Sequence, residues 1–206
     1  MTPVKASVLA DPDWLREDLK TAERMYGRTA GPRVLGTVRW YSASSVIVAP
    51  STESLFTGKI ADPSLDAVTL NMQPDGRYVD ARSDRVLDGG IPELGQAMHT
   101  MLATVIPPMS EACGATENAL WAIATDSIAN RLLWSGDAAR AVELAGQLAE
   151  AIGPNLPRPR FTRVGRNTIV KRASCCLIYE IPQADKCASC PRQTPEERAA
   201  RLRGFG

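Results

Sequence analysis

Four of the five cysteines fall in the last third of the chain. Cys175 and Cys176 are adjacent, ten residues follow, and Cys187 and Cys190 close the set across a two-residue gap. Four thiols are the ligand number of one iron-sulfur cluster, and thiolate is the ligand type such clusters select. The stretch from Cys187 to Cys190 is a CxxC knuckle, a loop short enough to turn two thiolates onto one metal, and Pro191 behind it stiffens the exit. The adjacent pair is different. Neighbours in extended chain point to opposite faces, so Cys175 and Cys176 converge only if the backbone kinks between them.

Other uses of four thiols fit less well. A structural zinc ribbon takes two CxxC-like knuckles around a closed tetrahedral site, and an adjacent pair is a poor knuckle. Disulfides need an oxidising compartment, and Met1 to Leu15 lacks the positively charged start, apolar run and small-residue cleavage site of a secretory signal. A four-iron cluster uses the same number of ligands, and counting does not separate it from a two-iron cluster. Two separated pairs do supply two thiolates to each of two irons directly, which favours two irons.

The stretch from Lys171 to Tyr179 (KRASCCLIY), followed by Cys187 to Arg192 (CASCPR), resembles the C-terminal signature of the FhuF-like ferric-siderophore reductases. In that family an adjacent cysteine pair, a ten-residue gap and a CxxC hold a [2Fe-2S] cluster. Upstream, Arg39 to Val48 and the segment from Leu65-Asp66-Ala67-Val68 to Asp75-Gly76 are similar to the family's looser N-terminal part. The resemblance implies that Cys175, Cys176, Cys187 and Cys190 are the cluster ligands, with no catalytic residue beyond the cluster. It also implies one-electron reduction of siderophore-bound Fe(III) to Fe(II), with hydroxamate chelates as first candidates. Hard oxygen donors hold ferric iron far more strongly than ferrous, so a single electron releases it. By the same analogy Arg39, Trp40 and Tyr41 are candidate linings of the substrate surface, although such aromatics often only fill a core. The alternative is an iron-sulfur sensor or regulator, or a structural cluster protein without reductase activity.

The rest of the sequence limits the partners. The chain shows no Walker loop, HExxH, GxSxG or GxGxxG, so neither nucleotide phosphate binding nor a hydrolytic nucleophile is signalled. Without a nicotinamide or flavin site, reducing power must come from a separate donor such as a ferredoxin or flavin reductase. The net charge of +1 argues against bulk nucleic-acid binding. Its distribution is uneven: residues 1–156 hold 13 Lys and Arg against 19 Asp and Glu, and residues 157–206 hold 11 against 4. Arg166, Lys171, Arg172, Lys186 and Arg192 therefore sit in a basic cluster-bearing third, where cations favour the reduced, more negative cluster. No apolar run approaches the roughly twenty residues of a membrane span. The expected location is the cytoplasm, with any contact at the inner face of the membrane peripheral.

These residues must be positioned by a modest protein of 206 residues, 44% hydrophobic and 23% charged, which is ordinary for a globular chain. Three prolines between Gly153 and Arg160 mark a connector. It divides residues 1–156, a helical and substrate-facing part, from residues 157–206, a small cluster-binding domain that must pack on the first. The fold class expected is α+β: a mainly helical N-terminal part with a small β-hairpin, then short strands and a terminal helix around the cluster.

Asp137 caps a helix whose Ala141, Leu144, Ala145, Leu148, Ala149 and Ile152 recur at helical steps and which Gly153 ends. A second helix runs from Thr116 to Gly136, and a third from Pro92 to Ile106 stops at Pro107-Pro108. Arg33 to Val48 reads as helix, although its pattern also fits a strand. Residues 66–71 and 77–82 flank the turn from Gln73 to Gly76 as a hairpin. A second hairpin pairs Phe161–Val164 with Thr168–Val170, and its second strand is expected to deliver Cys175 and Cys176. Thr194 and Pro195 open a final helix, acidic at its start, with Arg198, Arg201 and Arg203 toward its end. His99, the one histidine, has no ligand partner at helical spacing, and Cys113 reads as an inert buried thiol, so neither receives a role.

Overall fold

The computed structural model describes residues 1–182, 184–187 and 189–203, apart from the side chains of Arg198, Ala199, Leu202 and Arg203. Helix α1 (Pro12–Tyr26) starts where the Asp11 carboxylate accepts the backbone N–H groups of Asp13 and Trp14, with Pro12 in the first turn. Helix α2 (Gly31–Ile47) is buried on most sides, from Val34 through Ile47. That explains its ambiguous pattern, because a helix wrapped by neighbours carries no polar stripe. A short α3 (Ala49–Ser54) follows it.

Helix α4 (Ile91–Cys113) corrects the expected stop at Pro107-Pro108: it runs through both prolines to Cys113. Each proline removes one N–H from the ladder and costs about 3 kcal/mol. The carbonyls that lose their donors belong to Ala103 and Thr104, which face solvent, so water can take the place of the missing N–H groups. Beyond the prolines, Met109 and Cys113 continue the buried face of Val105 and Ile106. Burial of a side chain the size of Met109 contributes roughly 1.5–3 kcal/mol, which offsets part of that cost.

Helices α5 (Glu117–Ser135, capped by the Thr116 hydroxyl) and α6 (Ala138–Ile152, capped by Asp137) form as the sequence reads. They pack with α2 and α4 around one apolar core that includes Trp40, Met98, Leu102, Ile106, Leu120, Ile128 and Leu148. Against this body lies an antiparallel sheet of β1 (Thr2–Lys5), β2 (Val68–Met72) and β3 (Tyr78–Ser83). The expected hairpin is β2–β3, with Val68 opposite Ser83 and Gly76 at φ +90° in the turn. Strand β1 is an addition to the expected pair. It lies on the edge beside β2, where Pro3 is tolerated.

The C-terminal segment contributes β4 (Phe161–Val164) and β5 (Asn167–Val170), an antiparallel hairpin with Phe161 opposite Val170. It ends in α7 (Pro195–Arg203), which begins at a reciprocal cap. The Thr194 hydroxyl accepts the Glu197 N–H, and the Glu197 carboxylate accepts the Thr194 N–H. The side chains of Arg198 and Arg203, read as basic residues toward the end of this helix, lie outside the described part. The architecture is α+β, as expected. No helix among the described residues is long and apolar enough to cross a membrane.

Candidate metal centre

Strand β5 ends at Val170, so it does not itself carry the cysteine pair. The chain between is set by one buried carboxylate. Asp126, in the middle of α5, accepts the backbone N–H of Ala173 at 2.9 Å and that of Ser174 at 3.2 Å. It also accepts the Ser174 hydroxyl at 2.8 Å and Nε of Arg172 at 3.3 Å. The carboxylate and the guanidinium are almost wholly withdrawn from water, at 2% and 0% side-chain exposure. A buried charge pair of this kind persists only when its hydrogen bonds are filled, and Asp126 fills four. The three residues preceding Cys175 are thereby fixed to the helical body.

Arg172 passes this anchoring on to the thiols. Its Nη1 lies 3.3 Å from Cys187 Sγ, and its guanidinium stacks over the Tyr41 ring, 4.5 Å from the centroid. Its Nη2 is buried without a hydrogen-bond partner among the described residues. After Cys176 the backbone turns at Leu177, the one non-glycine residue at positive φ (+61°) among the described residues. This leads into a single helical turn at Ile178–Glu180. Leu177 and Ile181 then bury against Val34 and Val38 of α2, so the segment after the pair is also attached to the helical body.

The thiols approach one another across the two sequence pairs, which departs from the expectation that the knuckle and the adjacent pair each present their own two sulfurs together. Cys176 Sγ and Cys187 Sγ are 4.0 Å apart, and Cys190 lies close enough to Cys175 to act on its protonation. The knuckle holds its own turn through the Cys190 N–H to the Cys187 carbonyl at 3.0 Å, and the Gln193 amide donates to the same carbonyl. Sharing of a proton with Cys187 brings the Cys176 thiol down to about 5, helped by the Ile178 N–H and the Arg172 charge, while burial opposes it. The same shared proton and burial push Cys187 up, and burial raises Cys175.

Among the described residues, no three potential ligands converge on a point that a single metal ion could occupy. Each iron of a two-iron cluster takes two thiolates from protein, and the four cysteines supply that number. The buried, unpartnered Nη2 of Arg172 is the kind of donor that a bound sulfur-rich anion would satisfy. The chemistry of this donor set fits a [2Fe-2S] cluster, which Cys175, Cys176, Cys187 and Cys190 would hold.

Other residues singled out in the sequence fall elsewhere. Arg39 is buried in an ion pair with Asp18 of α1, with Nε to Oδ2 at 2.9 Å, and covers the Tyr78 ring. Trp40 is fully buried and donates to the Leu120 carbonyl. Both are core, and of the three candidate linings only Tyr41 reaches the centre, through Arg172. Arg192 lies over the Tyr179 ring, and Lys186 donates to the Arg192 carbonyl. His99 stacks on Trp121, and Cys113 is buried with its thiol pushed up by desolvation. Sequence reasoning missed Asp126. Its signal was available: it is the one charged residue in the otherwise uncharged run from Asn118 to Asn130.

Residues 172–192 match the family model of the FhuF 2Fe-2S C-terminal domain. The matched stretch opens on Arg172 and takes in all four cysteines of the centre, and the cofactor it supports is a [2Fe-2S] cluster. The similarity is confined to this stretch, and the helical body lies outside the match. No curated protein matches the chain.

Proposed function

We propose that this protein is a ferric-siderophore reductase of the cytoplasm, passing one electron to siderophore-bound Fe(III) so that Fe(II) is released. The observation that carries the reading is the arrangement of Cys175, Cys176, Cys187 and Cys190 under the Arg172 guanidinium, within the stretch that matches a FhuF 2Fe-2S domain. Bound to these four thiolates, a [2Fe-2S] cluster supplies one-electron transfer. Residues 157–206 act as the cluster-binding domain, and residues 1–156 as the body that positions it and faces the substrate.

The chain's own residues tune that transfer. Arg172 donates an N–H to the Cys187 sulfur and places a positive charge in a site where the effective dielectric is low, which favours the more negative, reduced state. Asp126 holds the guanidinium in place and offsets part of its charge. Burial of Cys176 and Cys190 keeps water from two of the four sulfurs, whereas Cys175 and Cys187 are partly exposed. The electron enters from a separate donor protein, a ferredoxin or flavin reductase, and the weaker hold of hard oxygen ligands on Fe(II) completes the release.

Anaerobic stopped-flow mixing of the chemically reduced protein with ferric hydroxamates, in the presence of a ferrous trap, tests the reading. Cluster absorption should recover as the trap colours, one iron per electron. A protein that stays reduced with every chelate, while a small inorganic oxidant still oxidises it, is a sensor or a structural cluster protein instead.

A further inference from the structure

A cavity of about 670 Å³ opens between the C-terminal end of α5 and the β4–β5 hairpin. One end reaches Ser189, the residue before Cys190 in the CxxC loop. Its most conspicuous wall is Trp134, which is 66% exposed although its indole is the largest apolar surface in the chain's solvent-facing set. The ring is not loose. The Arg131 guanidinium lies over it at 5.4 Å from the centroid, itself held by the Ser45 carbonyl at 2.8 Å and the Glu53 carboxylate at 3.2 Å. A positioned, exposed indole facing a cavity is a binding platform, because leaving it in water has an energetic cost that a ligand removes.

The opposite wall belongs to the hairpin. Arg166 at its turn is the charged residue of the lining, and Asn130 and Asn167 add neutral amides that both donate and accept hydrogen bonds. We propose that this groove is the docking site of the ferric chelate, the occupant being the hydroxamate complex that the resemblance implies. The proposal rests on the reductase reading above. Three features of the groove suit that occupant. The volume lies within the range of pockets that enclose ligands of several hundred daltons. The lining pairs an aromatic face with amide donors, which suits a chelate with an apolar outer skeleton and carbonyl oxygens. A trianionic catecholate complex would demand several cations, and among the described residues the lining offers one, Arg166. The contact at Ser189 brings the occupant against the loop that carries two of the four cluster ligands.

A second cavity of about 400 Å³ is the competitor, since Cys175 itself lines it together with Arg33 and the start of α5. It is smaller, and its cation is engaged by Glu180 at 3.5 Å.

Calorimetric titration of the cluster-loaded, oxidised protein with a gallium(III) hydroxamate, which has the shape of the iron complex but accepts no electron, separates the two. Trp134→Ala should raise the dissociation constant at least tenfold, and Arg166→Glu should raise it less, as befits a neutral ligand. Arg33→Glu should bind as wild type does, and an unchanged visible spectrum certifies each variant as folded and loaded. Stopped-flow oxidation by the ferric complex should show the same rise in half-saturating concentration for Trp134→Ala.

Wild-type affinity in Trp134→Ala, or weakening by Arg33→Glu instead, overturns the groove while a reductase that still oxidises with hydroxamates stands. Tighter binding of a gallium catecholate overturns the class of occupant. A wild-type protein that binds no chelate and passes no electron to any overturns both the groove and the reductase reading.

Discussion

Asp126 and Arg172 carry opposite charges beside the same sulfurs, and this gives their removal opposite electrochemical signs. Arg172→Gln removes a positive charge and the N–H donor to Cys187 Sγ, so the reduced state loses stabilisation and the potential should fall. Asp126→Asn removes the negative charge that offsets the guanidinium, so the potential should rise. Each shift should reach about 60 mV, the equivalent of a tenfold change in a one-electron equilibrium. Protein-film voltammetry of the two variants reads the signs directly. A purely structural role for the pair would show as lower cluster content in both variants with potentials moving the same way or not at all. Cys113→Ser should leave the visible spectrum untouched, because Cys113 sits at the end of α4 among core side chains and four thiols complete the centre without it. Bleaching in that variant would sink the ligand assignment.

At the scale of elements, close helix approach is what brings α2 beneath the cluster segment. Gly36 faces α4 so tightly that an added Cβ would lie 2.2 Å from Cys113 Cβ and 2.7 Å from its sulfur. Gly36→Ala should therefore destabilise the fold by about 1–3 kcal/mol, measured by denaturant titration of the holoprotein, since neither helix backbone can yield cheaply. An unchanged midpoint would mean that the α2–α4 contact relaxes freely.

The elements themselves were largely legible. The caps Thr116 and Asp137, the turn from Gln73 to Gly76 and the opening at Thr194-Pro195 are local chemistry, and each appears where the sequence places it. The continuation of α4 through two prolines was not, because the compensation comes from which side of the helix faces water, a tertiary fact. Strand β1 was hidden for a similar reason: four residues with a proline form a strand only because β2 offers an edge. The cysteine spacing announced the centre, yet the pairing of Cys176 with Cys187 depends on how Asp126, far away in the chain, clamps residues 172–174.

For the molecule as a whole, the two parts differ in what holds them together. The helical body owns a continuous apolar core running from Ala6 to Leu156. Among its described residues the cluster-bearing segment has no comparable core: Leu177 and Ile181 bury against Val34 and Val38, Asp126 clamps three residues, and Arg33 meets Glu180 at 3.5 Å. A segment with so small an apolar cluster of its own draws on its metal for stability, as small metal-stapled domains do. Stripping the iron with a chelator, or Cys187→Ser, should then unfold one part and spare the other. Hydrogen exchange followed by mass spectrometry should show peptides from residues 171–195 exchanging at least tenfold faster in the apo protein, while those of α4, α5 and α6 keep their protection. The peptide spanning Asp126 is the sensitive case: the buried carboxylate loses its partners when the segment leaves, so mid-α5 should exchange somewhat faster than α4. Uniform loss of protection would mean that the cluster stabilises the entire fold through the Asp126 clamp. Full retention would mean that the helical body alone orders the cysteine segment and that the thiol site is preformed before iron arrives.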